Sequence, residues 1–257
     1  MTAKPALSDR VHPKPGQRET GQPRRRIAPL RSWRIDPRHA LVGAALGWTG
    51  FAAMVGIVLT GHGQAFDAAG LLFWRSGADM VPRGPTWLLE AVRDMTALGG
   101  VLLRHLFAAA AITALLFMAL RREAILLAGT IIGGWAVNSA IKALVGRPRP
   151  EIVPHLTEAG GASFPSGHSF NAAVVYVGIA LAFAALSPRR SVRWTVIGAA
   201  LVLTGLIAVS RVWLGVHFPT DVTAGWLGGV AWAFTAAAVL DQPAKAAADA
   251  STGANSG

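Results

Sequence analysis

The chain has 257 residues, of which 53% are hydrophobic and only 14% charged; a soluble domain carries about 25% charged residues, so this composition excludes an ordinary soluble domain and points to the membrane. The net charge of +11 does not read as a nucleic-acid surface, because Arg24, Arg25, Arg26, Arg31, Arg34 and Arg38 crowd one end, where basic clusters beside an apolar span act as topology signals and contacts for anionic lipid heads. The absence of cysteine excludes disulfides, thiolate metal sites and a cysteine nucleophile.

Residues 1–38 are rich in Pro, Arg and Lys and read as a disordered basic cytoplasmic tail, too long to be the leading segment of a signal peptide. Leu41–Thr60 is twenty residues without a charge, enough to cross a hydrocarbon core of ~30 Å at ~1.5 Å per residue. Residues 61–97 mix Gly, Pro and charges with short apolar patches. Trp87, Leu88, Ala91, Val92 and Met95 share one helical face there, which suggests an interfacial helix; a loop helix packed on the bundle fits the pattern as well.

Five further spans follow. They are Leu98–Leu120, with Arg104 and His105 near its start, Ala124–Val145, with Asn138 and Lys142 near its end, Phe170–Leu186, Trp194–Val209 and Val222–Leu240. Residues 241–257 are rich in Ala, Gly and Ser and read as a disordered C-terminal tail. The expected fold is all-α: an integral membrane bundle of six transmembrane helices over 39–240, with an interfacial helical segment between the first two spans.

Charge sets the expected orientation. With the N-terminus inside, the inner connections are Arg121-Arg122-Glu123 and Pro188–Arg193, both short and basic, as the positive-inside rule requires. Both termini are then cytoplasmic, and segments 61–97, 146–169 and 210–221 lie outside. Arg147, Arg149 and Arg211 run against the charge trend on that face, which assigns them a task other than topology.

Three patches meet there. The first is Lys142 through Arg149-Pro150; Lys142 stands 18 residues past Ala124, about 27 Å along a helix and near the membrane boundary. The second is Ser163-Phe-Pro-Ser-Gly-His168, where Ser166 is a natural N-cap and the Gly167 and His168 amides point out of a helix N-terminus, where anions bind. The third is Ser210–Asp221, in which His217 and Asp221 are one helical turn apart, so that the carboxylate can fix the imidazole tautomer. Pro219 fits the first turn of the last helix. Taken singly, each patch has an ordinary reading: a snorkelling lysine, a capped helix whose histidine faces water, or an ion pair beside a bystander histidine. Taken together they place Lys142, Arg149, Arg211 and a helix N-terminus at one membrane face, a site for a multiply charged anion such as phosphate. Two histidines supply a nucleophile and an acid for phosphoryl transfer. No carboxylate cluster is spaced for Mg²⁺ and no nucleotide loop is present, so metal-free chemistry with no cofactor is expected.

At these residues the chain resembles the type-2 phosphatidic acid phosphatase superfamily, which includes bacterial undecaprenyl-pyrophosphate phosphatases. Its signature K-x6-RP, PSGH and SR-x5-H-x3-D reads here as Lys142…Arg149-Pro150, Pro165-Ser166-Gly167-His168 and Ser210-Arg211…His217…Asp221. The resemblance implies that His217 attacks phosphorus and becomes a phosphohistidine, that Asp221 orients it, and that His168 protonates the leaving group and then activates water. Lys142, Arg149, Arg211, Ser166 and the Gly167 amide would cradle the phosphoryl oxygens. Arg147, outside the signature, is expected to contact the lipid head group; Asp94, Thr96 and Gly99 are given a structural or access role. The expected protein is an outward-facing phosphatase of the bacterial cytoplasmic membrane acting on a lipid phosphate or pyrophosphate. A phosphotransferase using the same phosphohistidine, and a non-catalytic lipid binder or transporter, are the competing readings. The motif reads phosphate and leaves both the lipid and the oligomeric state open.

Overall fold

A computed structural model describes the backbone of residues 37–253 and the side chains of residues 38–238; of the expected tail over 1–38, residues 1–36 lie outside the described residues, as do residues 254–257 of the expected C-terminal tail. The elements in chain order are α1 (Pro37–Leu59), α2 (Gln64–Leu72), a two-residue hairpin of β1 (Arg75–Ser76) and β2 (Val81–Pro82), α3 (Thr86–Leu98), α4 (Val101–Phe117), α5 (Arg121–Val145), α6 (Gly167–Ala184), α7 (Arg190–Trp213) and α8 (Pro219–Gly253).

Four helices are long and apolar enough to cross a membrane: Arg38–Leu59, Arg121–Val145, Gly167–Ala184 and Arg190–Trp213. α3 and α4 form a pair bent by 47° that makes a fifth if counted as one span. The remaining expected span, Val222–Leu240, lies within α8, which does not pass the same test over its described residues. The helical backbone of α8 continues past Leu240 to Gly253, through an alanine-rich stretch of high helix propensity.

α6 is the axis of the bundle. It packs against α8, α7, α5 and α4, and its side chains from Ser169 to Val177 are buried without a break. A helix apolar all round can only be an inner one. The surrounding helices turn large apolar side chains outward, among them Leu46, Ile125, Ile132, Trp135, Leu144 and Val202, the pattern of a surface solvated by lipid rather than water.

Small residues set how closely the helices approach, as in other membrane bundles. A Cβ on Gly47 of α1 would lie 2.8 Å from Ala231 Cβ of α8, and one on Gly225 of α8 would lie 2.7 Å from the Ser166 carbonyl oxygen at the start of α6. The α6–α8 contact thus brings two helix N-termini together. The segment between α5 and α6, the turn between α7 and α8 and the α3–α4 bend all reach this end of the bundle.

The segment between α1 and α4 packs on the bundle more closely than its mixed composition indicates. Leu88, Leu89 and Val92 of α3 sit against Trp213, Leu214 and Val216 at the end of α7. Of the five residues expected to share a face, Trp87 is 66% exposed and Ala91 is also exposed; the packed face is rotated toward Leu89.

Candidate active site

His217 lies in the turn between α7 and α8 and is almost fully buried. Its two nitrogens meet different neighbours. Nδ1 is 3.3 Å from Ser163 Oγ and 3.5 Å from Asp221 Oδ2. Nε2 is 3.1 Å from Nη1 of Arg149. A guanidinium only donates, so Nε2 accepts and the ring proton is assigned to Nδ1. Burial, reinforced by the positive charges of Arg149 and Arg211 and opposed by Asp221, pushes the pKa of His217 down to about 4. The ring is therefore neutral at neutral pH, with a lone pair on Nε2.

Asp221, in the first turn of α8, is held by several donors. Oδ2 accepts from Ser163 Oγ and from the Phe218 amide at 2.9 Å, while Oδ1 accepts from Nη1 of Arg147 at 2.6 Å. Burial works to raise its pKa, but His217, Ser163 and Arg147 outweigh that and hold the carboxyl below its usual value. Ser163, absent from the predicted site, stands between the two: it donates to the aspartate and can accept from the imidazole N–H, so the orientation of His217 is relayed through a hydroxyl as well as by direct contact. The Ser163 amide is fixed by the Arg147 carbonyl at 2.7 Å, and the Ser166 amide by the Asp221 carbonyl at 3.0 Å.

Arg147, expected to contact the lipid head group, is engaged within the protein. It makes ion pairs with Asp221 and, through Nη2 at 2.7 Å, with Asp67 of α2, bonds Thr220 Oγ1 at 2.8 Å, and lies 4.1 Å over the Phe218 ring. Asp67 is 1% exposed and caps α8, accepting from the Thr220 amide at 2.9 Å and its hydroxyl at 2.7 Å. A carboxylate at a helix N-terminus satisfies orphan amides and complements the helix dipole. The sequence carries no local signal for this partner, which comes from 153 residues away.

The expected anion ligands gather around the same point. Arg149 donates to the carbonyls of Gly161 at 3.1 Å, Gly160 at 2.8 Å and Val216 at 2.8 Å. Burial lowers its pKa, opposed by Asp221. Arg211 is 3% exposed; its Nη1 bonds Thr96 Oγ1 at 3.0 Å, and its buried Nε has no partner among the described residues. Thr96 thus has a direct contact with the cradle, whereas Asp94 is exposed on α3. Lys142 donates to the Ala162 carbonyl, and its Cε would lie 3.5 Å from a Cβ on Gly167. Ser166 N-caps α6 as expected, accepting from the Ser169 amide at 3.5 Å and its hydroxyl at 3.0 Å, which leaves its own proton for a ligand.

His168 is half-buried. Its charged or ionisable neighbours are Arg211, His217, Arg104 and Arg149, and Gly99 lies against its ring. Among the described residues no group of three or more His, Cys, Asp or Glu side chains is placed to hold a metal ion.

Arginines and a lysine thus lie around a buried histidine, with a second histidine beside it, at one end of an apolar helical bundle. Residues 122–244 match the model of the PAP2 superfamily, and the chain carries a domain of that family. It is similar to two proteins of Bacillus subtilis (strain 168): phosphatidylglycerophosphatase B, 42% identical over 37% of this chain and 46% of that protein, and undecaprenyl-diphosphatase BcrC, 36% identical over 39% of this chain and 50% of that protein. The chain therefore spans about half the length of the curated relatives it matches. Its fold is similar to the crystal structure of a transmembrane PAP2-type phosphatidylglycerolphosphate phosphatase from Bacillus subtilis, with a TM-score of 0.67, 29% identity, and coverage of 75% of this chain and 93% of that one. The apolar helices and this likeness make the chain an integral membrane protein.

Proposed function

We propose that the protein is a membrane phosphatase that hydrolyses a lipid phosphate or diphosphate through a phosphohistidine on His217. The observation that carries this reading is the state of His217: neutral, its Nδ1–H directed to Ser163 and Asp221, its Nε2 lone pair turned to Arg149. A nucleophile needs an unprotonated lone pair and its ring proton held elsewhere; the Arg149 N–H that now bonds Nε2 would turn to a phosphoryl oxygen when substrate binds. Nε2 bonds phosphorus as the ester or anhydride P–O bond breaks, and the departing oxygen takes the bonding electron pair and a proton from His168. Arg149, Arg211, Lys142, the Ser166 hydroxyl and the α6 N-terminus hold the phosphoryl oxygens as charge spreads over them. Water then attacks phosphorus and gives a proton to His168, the Nε2–P bond breaks with its electron pair returning to the His217 imidazole, and inorganic phosphate leaves. The names of the Bacillus relatives support lipid phosphates as the substrate class.

The site is proposed to face the outside, with both termini in the cytoplasm and α8 as a further span. The support is the basic cluster of Arg121, Arg122, Arg189, Arg190 and Arg193 at the opposite end of the helices, the excess expected on the cytoplasmic side.

The test is phosphate release by purified full-length protein in EDTA from phosphatidic acid, phosphatidylglycerol phosphate and undecaprenyl pyrophosphate. Release from at least one, abolished by His217→Ala in a protein that keeps its thermal transition, is expected. Strict divalent-metal dependence, or wild-type rates in His217→Ala, would overturn the mechanism. Phosphate appearing only when an acceptor alcohol is added, and then on that alcohol, would make the protein a phosphotransferase.

A further inference from the structure

One buried cation has no task in this scheme. Arg104 is the fourth residue of α4 and is 6% exposed. Its Nη1 donates to the Gly99 carbonyl at 2.9 Å, its only hydrogen bond among the described residues, and none of their carboxylates pairs with it. A guanidinium has five N–H donors. A buried charge without a counter-ion is costly, and within an apolar helical bundle such residues mark substrate paths.

Its position is specific. Gly99, which receives the bond, also touches the catalytic pocket: a Cβ there would lie 3.3 Å from His168 Cδ2 and 2.5 Å from Ile207 Cγ2. Arg104 is thus one residue removed from the proposed acid, and the Lys142–Arg149–Arg211 cradle is built from other elements, α5, the loop after it and α7. Capping the end of α3 does not require a charge, since the neighbouring Leu98 carbonyl is satisfied by the Tyr176 hydroxyl at 2.6 Å.

We propose that Arg104 binds the second phosphate of a lipid diphosphate and thereby favours diphosphates over monophosphates, an inference that rests on the phosphatase reading above. The chemistry of the two leaving groups differs. A monoester departs as an alcohol oxygen whose only need is the proton from His168. A diphosphate breaks at the bridging P–O bond: His217 Nε2 takes the terminal phosphoryl group, and the inner phosphate departs with the electron pair as a lipid monophosphate. That product carries added negative charge, which a cation beside His168 stabilises as it develops.

The experiment compares farnesyl diphosphate with farnesyl monophosphate, which share one tail, as substrates for the full-length protein in detergent. Wild type is expected to prefer the diphosphate, and Arg104→Gln to lower the diphosphate-to-monophosphate ratio of kcat/KM about a hundredfold, the scale of losing one oriented donor. An unchanged ratio overturns the assignment whether both rates fall or neither does. If Arg104→Gln loses its thermal transition, the ratio in Arg104→Lys decides; Lys keeps the charge but not the fork, so a ratio lowered about tenfold supports the proposal and an unchanged one overturns it. A wild type that cleaves only the monophosphate defeats this inference alone, whereas one that releases phosphate from neither farnesyl substrate nor from the three test lipids defeats the phosphatase reading as well.

Discussion

His217 acquires its character from what surrounds each ring nitrogen, and two outcomes follow at the residue scale. Replacing Ser163 by Ala removes the hydroxyl between imidazole and carboxylate and leaves a 3.5 Å gap. We expect kcat to fall about tenfold to a hundredfold, the cost of a misplaced reacting group, with KM little changed; a rise in KM alone would assign Ser163 to substrate binding instead. The second outcome concerns protonation. Because the folded pKa of His217 lies near 4 against 6.5 for a free imidazole, the unfolded chain takes up this proton more readily, so the group costs stability as pH falls from about 6.5 toward 4. Titration of the substrate-free protein followed by the ring nitrogen NMR signals should give a midpoint near 4, and a midpoint near 6.5 would show that Nε2 is not shielded. The signature residues themselves were legible, since Lys142, Arg149, His168, Arg211, His217 and Asp221 lie in three short patterns whose spacing is their signal. Ser163, Asp67 and Thr96 were not readable as partners. Their bonds span 58, 153 and 115 residues, and nothing in a serine or an aspartate of a mixed segment names the residue it will meet. The same holds for Arg147: an arginine beside a phosphate motif shows its charge in the sequence, but not the two carboxylates that pair with it.

At the scale of elements, the site depends on how closely α8 lies to α6 and on how α2 holds α8. Gly225→Val would force a side chain onto the Ser166 carbonyl, 2.7 Å from the first added carbon. Overpacking of this kind costs about 1–3 kcal/mol, read as a lower Tm, and because it separates Ser166 from Asp221 it should lower kcat more than the stability change alone explains. Asp67→Ala removes the cap of α8 and leaves Arg147 with one carboxylate. Breaking a buried pair costs about 3–5 kcal/mol, so a large loss of Tm is expected; a shift within error would show that Asp67 bears no load. The apolar spans were readable from uncharged runs of bilayer length, which four helices match. The bend of 47° between α3 and α4 was not, because Gly99 and Gly100 permit a turn without specifying one; the extended backbone of Gly100 separates the two helices.

At the scale of the whole molecule, orientation is open to direct measurement. The chain lacks cysteine, and His155 is exposed in the segment between α5 and α6. A single His155→Cys should react with a membrane-impermeant maleimide added to intact cells, and protection until the cells are opened would reverse the proposed topology. The family match begins at residue 122, yet Asp67, Thr96, Gly99 and Arg104, which cap, brace and border the site, all precede it. The proposed active centre is therefore divided between two stretches of chain joined by the three residues that link α4 to α5. A break in that link should give two halves that are each inert, the second one bearing every signature residue, and that recover turnover only when they are made together in one membrane.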